Sequence, residues 1–151
     1  MPESLSAVYV HLVFSTKHRH PFLADGGLRD EMHRYLAEIS ARLQSPALEV
    51  GGVADHVHLL ARLGRTMAPA DWVKELKRAS SVWAKTRVPA WQLFAWQAGY
   101  GVFSVSQSQL ERVRHYILTQ EIHHAKTVFQ DEFRALLHAH EVAWNEQYVW
   151  D

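Results

Sequence analysis

Residues 8–15, Val-Tyr-Val-His-Leu-Val-Phe-Ser, form a nearly unbroken apolar run of β-branched and aromatic side chains. Such a run predicts a strand, and its lack of polar alternation predicts burial on both faces. The next pattern has another period. Leu28, Met32, Tyr35, Leu36, Ile39 and Leu43 fall at helical spacing, which predicts a helix over 28–43. Asp25-Gly26-Gly27 reads as the turn before it and Ser45-Pro46 as its stop. Residues 47–53 predict a short strand whose Gly51-Gly52 pair suits a bulge. Residues 56–63 predict the next strand, joined closely enough for an antiparallel hairpin.

Helical spacing returns over 69–85. Trp72, Val73, Leu76, Ala79 and Trp83 share one side, and Lys74, Lys77, Arg78, Ser81 and Lys85 the other. Residues 88–97, with Trp91, Phe94 and Trp96, follow no clear period. After the bend Gly99-Tyr100-Gly101, the stretch Val102-Phe103-Ser104-Val105 predicts a fourth strand. Ser108 with Glu111 three residues on fits a capping box. The helix it opens carries Leu110, Val113, Tyr116, Ile117 and Gln120. A last helix over 131–140 precedes an aromatic tail with Trp144, Tyr148 and Trp150. The order β-α-β-β-α-β-α-α predicts an α+β fold: a ferredoxin-like split β-α-β-β-α-β with an antiparallel sheet and additional C-terminal helices. With no repeat and no linker, the 151 residues read as a single domain, 1–151.

Composition narrows the chemistry. The absence of cysteine excludes disulfides, thiolate catalysis and Cys-type zinc sites. No apolar run approaches the ~20 residues of a membrane span, and no secretory leader is visible, so a soluble cytoplasmic protein without a membrane partner is expected. The formal net charge is zero, but its distribution is uneven. Up to Gln120 there are 14 Lys and Arg against 10 Asp and Glu; from Glu121 onward the numbers are 2 and 6. Eleven histidines add potential positive charge. Such a balance permits anion binding without demonstrating it.

The most informative stretch is Asp55-His56-Val57-His58-Leu59-Leu60. On a strand, His56 and His58 project from the same face. Two readings are open: half of a divalent-metal site, or two ordinary strand histidines. Asp55 is open between a turn residue and a support for the pair. Tyr116 and Gln120, four apart, share a helix face. Tyr116 is open between nucleophile and simple packing with Val113 and Ile117. The basic run Thr16-Lys17-His18-Arg19-His20-Pro21 is either a solvated loop or a phosphate-contacting one. The Lys74/Lys77/Arg78/Lys85 stripe is likewise either a solvated face or a phosphodiester-binding one.

Taken in order, these stretches resemble the HUH endonuclease superfamily, and within it the single-tyrosine transposases of bacterial insertion sequences, including the REP-associated tyrosine transposases. The resemblance is carried by His11-Leu12-Val13-Phe14-Ser15-Thr16-Lys17, by Asp55 to Leu60, and by Lys77-Arg78-Ala79-Ser80-Ser81-Val82-Trp83. Trp96-Gln97-Ala98-Gly99-Tyr100-Gly101-Val102-Phe103-Ser104-Val105-Ser106 and Tyr116-Ile117-Leu118-Thr119-Gln120 continue it. His123-His124, Phe129-Gln130-Asp131-Glu132-Phe133 and Tyr148-Val149-Trp150 extend it to the end.

The resemblance implies a ferredoxin-like enzyme that cuts and rejoins single-stranded DNA at hairpin-marked element ends. By it, His56, His58 and Gln120 would bind Mg²⁺ or Mn²⁺, and Tyr116 would be the nucleophile, leaving a 5′-phosphotyrosine and a free 3′-OH. DNA contacts are expected on Lys17, Arg19, Lys74, Lys77, Arg78, Lys85, Arg112 and Arg114. The resemblance also implies a homodimer, with the site shared between subunits or complete within one. Thr119 departs from the Asn that relatives commonly carry before the glutamine. The alternative is a domesticated or inactive relative that binds hairpin nucleic acid without strand transfer.

Overall fold

The central strand, β1 (Val8–Ser15), is hydrogen-bonded along both edges. It pairs antiparallel with β3 (His56–Leu63) on one side and with β4 (Gly101–Val105) on the other. β2 (Ala47–Gly52) adds to the outer edge of β3, giving the order β2-β3-β1-β4. The computed structural model describes residues 2–151. Burial is complete from Val10 to Ser15 on both faces of β1, as its apolar run predicts. The α+β, ferredoxin-like order read from the sequence is the one observed. Among the described residues no helix is long and apolar enough to cross a membrane.

Two helices, α1 (Gly26–Arg42) and α2 (Pro69–Arg87), cover one face of the sheet. There Leu12, Phe14, Val57 and Leu59 pack with Met32, Leu36, Trp72 and Leu76. Full burial of such a side chain contributes about 1.5–3 kcal/mol, so this layer carries most of the stability. Because strand side chains alternate, His11, Val13, His56 and His58 turn to the opposite face. Phe129, Phe133 and Leu137 of α5 (Phe129–Ala139) cover Val13 and Phe103 there. α3 (Leu110–Leu118) and α4 (Gln120–His124) lie against the β2 and β3 side.

The three buried indole N–H groups of the main core each have a partner. The indole N–H of Trp72 donates to Ser40 Oγ at 2.9 Å, that of Trp96 to Ser80 Oγ at 2.9 Å, and that of Trp91 to the Phe22 carbonyl at 2.7 Å. The aperiodic 88–97 stretch is therefore a core plug around a short 3₁₀ turn (Pro89–Trp91), and its aromatic residues face inward. The buried face of α2 continues through Ser80 and Ala84, while Trp83 is only half-buried and stacks on Tyr35.

Several local features differ from the sequence expectation. Asp25 is an N-cap, accepting from the Leu28 N–H at 3.0 Å, so α1 starts at Gly26 and absorbs the expected turn. The irregularity in β2 falls between Ala47 and Glu49 rather than at the glycines. Ser108 does not cap α3. It sits in a 3₁₀ turn (Gln107–Gln109), and its hydroxyl bonds that of Ser106 at 3.0 Å. α5 starts at Phe129, two residues before the expected position. The helix expected to run unbroken to Gln120 is interrupted after Leu118, at Thr119, whose backbone leaves the helical region and whose hydroxyl bonds back to the His115 carbonyl at 2.9 Å.

Two glycines set how closely the upper helices approach. A Cβ on Gly51 would lie 2.5 Å from the Ile117 carbonyl oxygen, and one on Gly101 would lie 2.8 Å from the Phe133 ring. Gly51 thus seats α3 on β2, and Gly101 seats α5 on β4. Gly51→Ala is expected to push α3 outward, since backbone cannot yield as a flexible side chain can. A displacement near 1 Å costs on the order of 10²-fold in a positioned reaction. A loss of that size in any reaction that depends on where α3 sits, with a Tm lowered by only a few degrees, is the expected result; an unchanged rate would contradict it.

His33 on α1 gives a pH prediction. Its Nε2 is enclosed without a hydrogen-bond partner. Burial first, then the charges of Arg29 and His58 against that of Asp30, lower its pKa to about 4. Its folded-state pKa lies below its unfolded value, so the unfolded chain binds the extra proton between about pH 6.5 and 4. Stability therefore falls as pH drops through that window, by up to about 3 kcal/mol from this residue. Urea unfolding at pH 7 and pH 4.5 should show His33→Leu losing less stability on acidification than the wild type.

Candidate metal centre and nucleophile

β3 enters the sheet at His56, and period two sets His56 and His58 side by side under α5. Each ring is fixed from behind. Asp55 Oδ1 lies 2.7 Å from His56 Nδ1, and His11 Nε2 lies 2.8 Å from His58 Nδ1, with the two rings stacked. Asp55 is therefore a support for the pair as well as the strand entry. A carboxylate only accepts, so His56 carries its proton on Nδ1 and turns the Nε2 lone pair inward. Burial, then the positive charge of His58, holds His11 neutral with a pKa of about 3. Neutral His11 can accept from His58 Nδ1, the arrangement that frees His58 Nε2 in the same way.

Gln120 arrives from the first turn of α4. Its Oε1 is 3.3 Å from His56 Nε2, and its amide donates to the Tyr116 carbonyl at 3.2 Å. The break at Thr119 thus preserves the shared face of Tyr116 and Gln120. Both lie beside the histidine pair of their own chain: the Tyr116 ring is 5.7 Å from that of His58 and 6.1 Å from that of His11, edge to face.

Glu132 of α5 occupies the centre of the cluster. Its Oε1 is 3.2 Å from His56 Nε2, 3.1 Å from His58 Nε2 and 3.0 Å from His124 Nε2. Its Oε2 accepts the Tyr116 hydroxyl and lies 3.5 Å from His123 Nε2. His124 donates through Nδ1 to the Thr127 carbonyl at 2.5 Å. Its Nε2 is buried and makes no hydrogen bond, although Glu132 Oε1 is so near. The ligand atoms of His56, His58, His124 and Glu132 all lie within 4.8 Å of one another.

This donor set calls for a cation. His56 and His124 already donate outward, so each presents a lone pair to a carboxylate oxygen. Lone pair facing lone pair is repulsive unless the rings take up protons or a metal ion lies between them. Burial opposes charge on His56, but the Asp55 and Glu132 hydrogen bonds outweigh it and raise its pKa to about 9. Burial lowers the pKa of His58 despite Glu132. For Glu132 itself burial works upward, yet the imidazoles of His124, His56 and His58 hold the carboxyl far below the usual carboxylate range. Burial first, then the negative charge of Glu132, pushes the Tyr116 phenol well above its ordinary value. The residues present thus fit a divalent metal. Positive charge at the centre would also remove part of what holds Tyr116 protonated.

The expected DNA-binding residues are dispersed. Arg19 lines a cleft of about 550 Å³ with Arg29, Asp55, Glu121, His124 and Phe129. Arg112 lines another of about 420 Å³ with Tyr116, His11, Gln109 and His140. Lys17 borders a third, near Phe22 and Leu93. The α2 residues Lys74, Arg78 and Lys85 belong to the helix layer on the opposite face of the sheet. Arg78 pairs with Glu75, and Arg114 with Glu49 at 3.1 Å. Lys77 donates to the Gln97, Ala98 and Gly99 carbonyls at 2.8, 3.2 and 2.6 Å, and burial lowers its pKa to about 8. Its ammonium fastens the loop before β4.

Sequence reasoning missed Glu132, His124 and the supporting role of His11. For Glu132 a signal existed: it lies three residues after Phe129 and one before Phe133, on the apolar stripe of a helix. A carboxylate there is seldom left without a partner.

Comparison with known proteins follows the same lines. The sequence profile of the IS200-like transposases matches residues 4–120. No curated protein sequence matches the chain significantly. The crystal structure of a candidate transposase from Deinococcus radiodurans R1 superposes with a TM-score of 0.62 at 26% identity, covering 80% of this chain and 95% of that one. A REP-associated tyrosine transposase bound to a REP hairpin superposes with a TM-score of 0.61 at 12% identity, covering 84% of this chain and 76% of that one. At that identity the second likeness speaks for the fold.

Proposed function

The chain belongs to the IS200-like transposase family, and from that membership we propose that it cuts and rejoins single-stranded DNA at hairpin-marked ends through a 5′-phosphotyrosine on Tyr116. The observation that carries this reading is the convergence of Tyr116 Oη, Gln120 Oε1 and the Nε2 atoms of His56 and His58 on one buried centre. His56, His58 and Gln120 would hold the divalent ion, Mg²⁺ or Mn²⁺. When bound, it would polarise the scissile phosphate as a Lewis acid and neutralise charge building on its oxygens.

The protein's own groups do the positioning. Asp55 and His11 keep the two imidazoles turned inward. Glu132 holds the phenol oxygen toward the same centre. The bond from Tyr116 Oη to phosphorus forms as the phosphorus–O3′ bond breaks, and the 3′ end leaves as a hydroxyl bearing the proton the phenol gives up. Rejoining reverses these steps with another 3′-OH. Arg19 and Arg112, at the clefts on either side, are the basic residues best placed to guide a strand across Tyr116.

The test uses a single-stranded oligonucleotide carrying an element-end hairpin and a label at its 3′ end, because the protein stays on the 5′ phosphate of the downstream fragment. With Mn²⁺ a labelled protein–DNA adduct is expected on a denaturing gel, and with a chelator none. Hairpin binding without adduct on several element-end sequences would sink strand transfer and leave a hairpin-binding relative.

A further inference from the structure

We propose that His124 and Glu132 are metal ligands of this chain, completing a five-donor site of three imidazoles and two oxygens that selects a transition ion such as Mn²⁺ or Co²⁺ over Mg²⁺. The proposal rests on the metal reading of His56, His58 and Gln120 and extends it with two residues beyond the 4–120 stretch that the family profile matches.

Three observations carry it. The first is the orphaned nitrogen: His124 Nε2 is buried, has no hydrogen-bond partner, and faces the carboxylate. Its Nδ1 is committed to the Thr127 carbonyl, so the lone pair on Nε2 is what the ring offers inward. The second is spacing. Glu132 Oε1 is 3.0–3.2 Å from three separate imidazole nitrogens. Donor atoms that share a cation at about 2.1 Å and near right angles sit about 3.0 Å apart. The third is construction. α5 is seated by the close approach of Gly101 to Phe133 and is clamped by Phe129, Phe133 and Leu137, which fixes the depth at which Glu132 enters.

The metal class follows from the donors. Imidazole nitrogen suits first-row transition ions, whereas Mg²⁺ favours oxygen and keeps several waters. Five protein donors crowd those waters out, and a six-coordinate ion would retain one position for a phosphate oxygen. Glu132 would then span the ion and the nucleophile, one oxygen on each.

Metal binding itself is the test, measured by calorimetry on the full chain without DNA, for wild type, His58→Ala, His124→Ala and Glu132→Gln. Wild type should bind Mn²⁺ and Co²⁺ at least 10-fold tighter than Mg²⁺. His124→Ala and Glu132→Gln should each weaken Mn²⁺ binding 10- to 100-fold. Equal affinity for Mg²⁺ and Mn²⁺, or variants within twofold of wild type while His58→Ala loses the metal, would overturn this proposal and leave the underlying metal reading standing. Binding untouched by His58→Ala would overturn both. Should the His124 or Glu132 variants fail to fold, pulsed EPR of Mn²⁺ on wild-type protein still decides: three coupled imidazole nitrogens are expected, and two would exclude His124.

Discussion

Tyr116→Phe is expected to eliminate the covalent protein–DNA adduct while leaving the fold and hairpin binding in place. The substitution removes one oxygen. The ring keeps its edge-to-face contacts with His11 and His58, and Ile117 beside it remains in the core. What disappears is the hydroxyl that donates to Glu132. No other hydroxyl lies at the centre to replace it as a nucleophile, because the remaining groups there are imidazoles, a carboxylate and an amide already turned toward one another. Loss of an unreplaced nucleophile costs on the order of 10³- to 10⁶-fold, so the adduct should fall below detection. Stability should fall only modestly, by about 1–3 kcal/mol, because Glu132 loses one charge-assisted hydrogen bond but keeps its imidazole neighbours. A denaturing gel and a thermal melt on the same preparation check both halves. Adduct retained by the variant would mean that another residue attacks.

How much of this was legible beforehand depends on where each residue's information lies. His56 and His58 were readable because a strand's period of two is rigid, and two histidines at that spacing on an apolar run must share a face. The ferredoxin-like class with its antiparallel sheet followed from element order alone. Tyr116 and Gln120 were readable as a pair by helical spacing. The interruption at Thr119 between them could not be weighed in advance: where a helix bends at a threonine depends on tertiary packing. The α2 basic stripe was readable only in part. Helical periodicity gives the exposed side but not which layer the helix joins, and that helix covers the sheet face away from the histidines. Lys77 was read with that stripe as an expected DNA contact, and three carbonyls of a distant loop converge on it. Glu132 stood seventy-odd residues from the histidines, and only α5 folding back over β1 and β4 brings it there. Its position between Phe129 and Phe133 was the one local sign.

Mixing two inactive variants, His58→Ala and Tyr116→Phe, is expected to restore no adduct. Within the chain, α3 lies on its own β2 and β3, with the Ile117 carbonyl against Gly51. Tyr116 and Gln120 therefore meet the His56/His58 pair without help from a second subunit. In such an arrangement each variant chain lacks one half of its own site, and no exchange of partners can supply it. A homodimer that swapped its tyrosine helices would behave differently. Random pairing of equal amounts makes half the dimers mixed, and each mixed dimer would hold one intact site of two. About one quarter of wild-type activity would then return. The two outcomes differ by a factor far larger than assay scatter. Subunit exchange can be verified independently with differently tagged chains. Gly51→Ala adds a control: if the tyrosine helix is seated in its own chain, loosening that seat should lower wild-type cleavage without creating complementation between the variants. Recovery near one quarter would show that the tyrosine helix works on the partner's histidines, and that the close contact at Gly51 is given up when the enzyme acts.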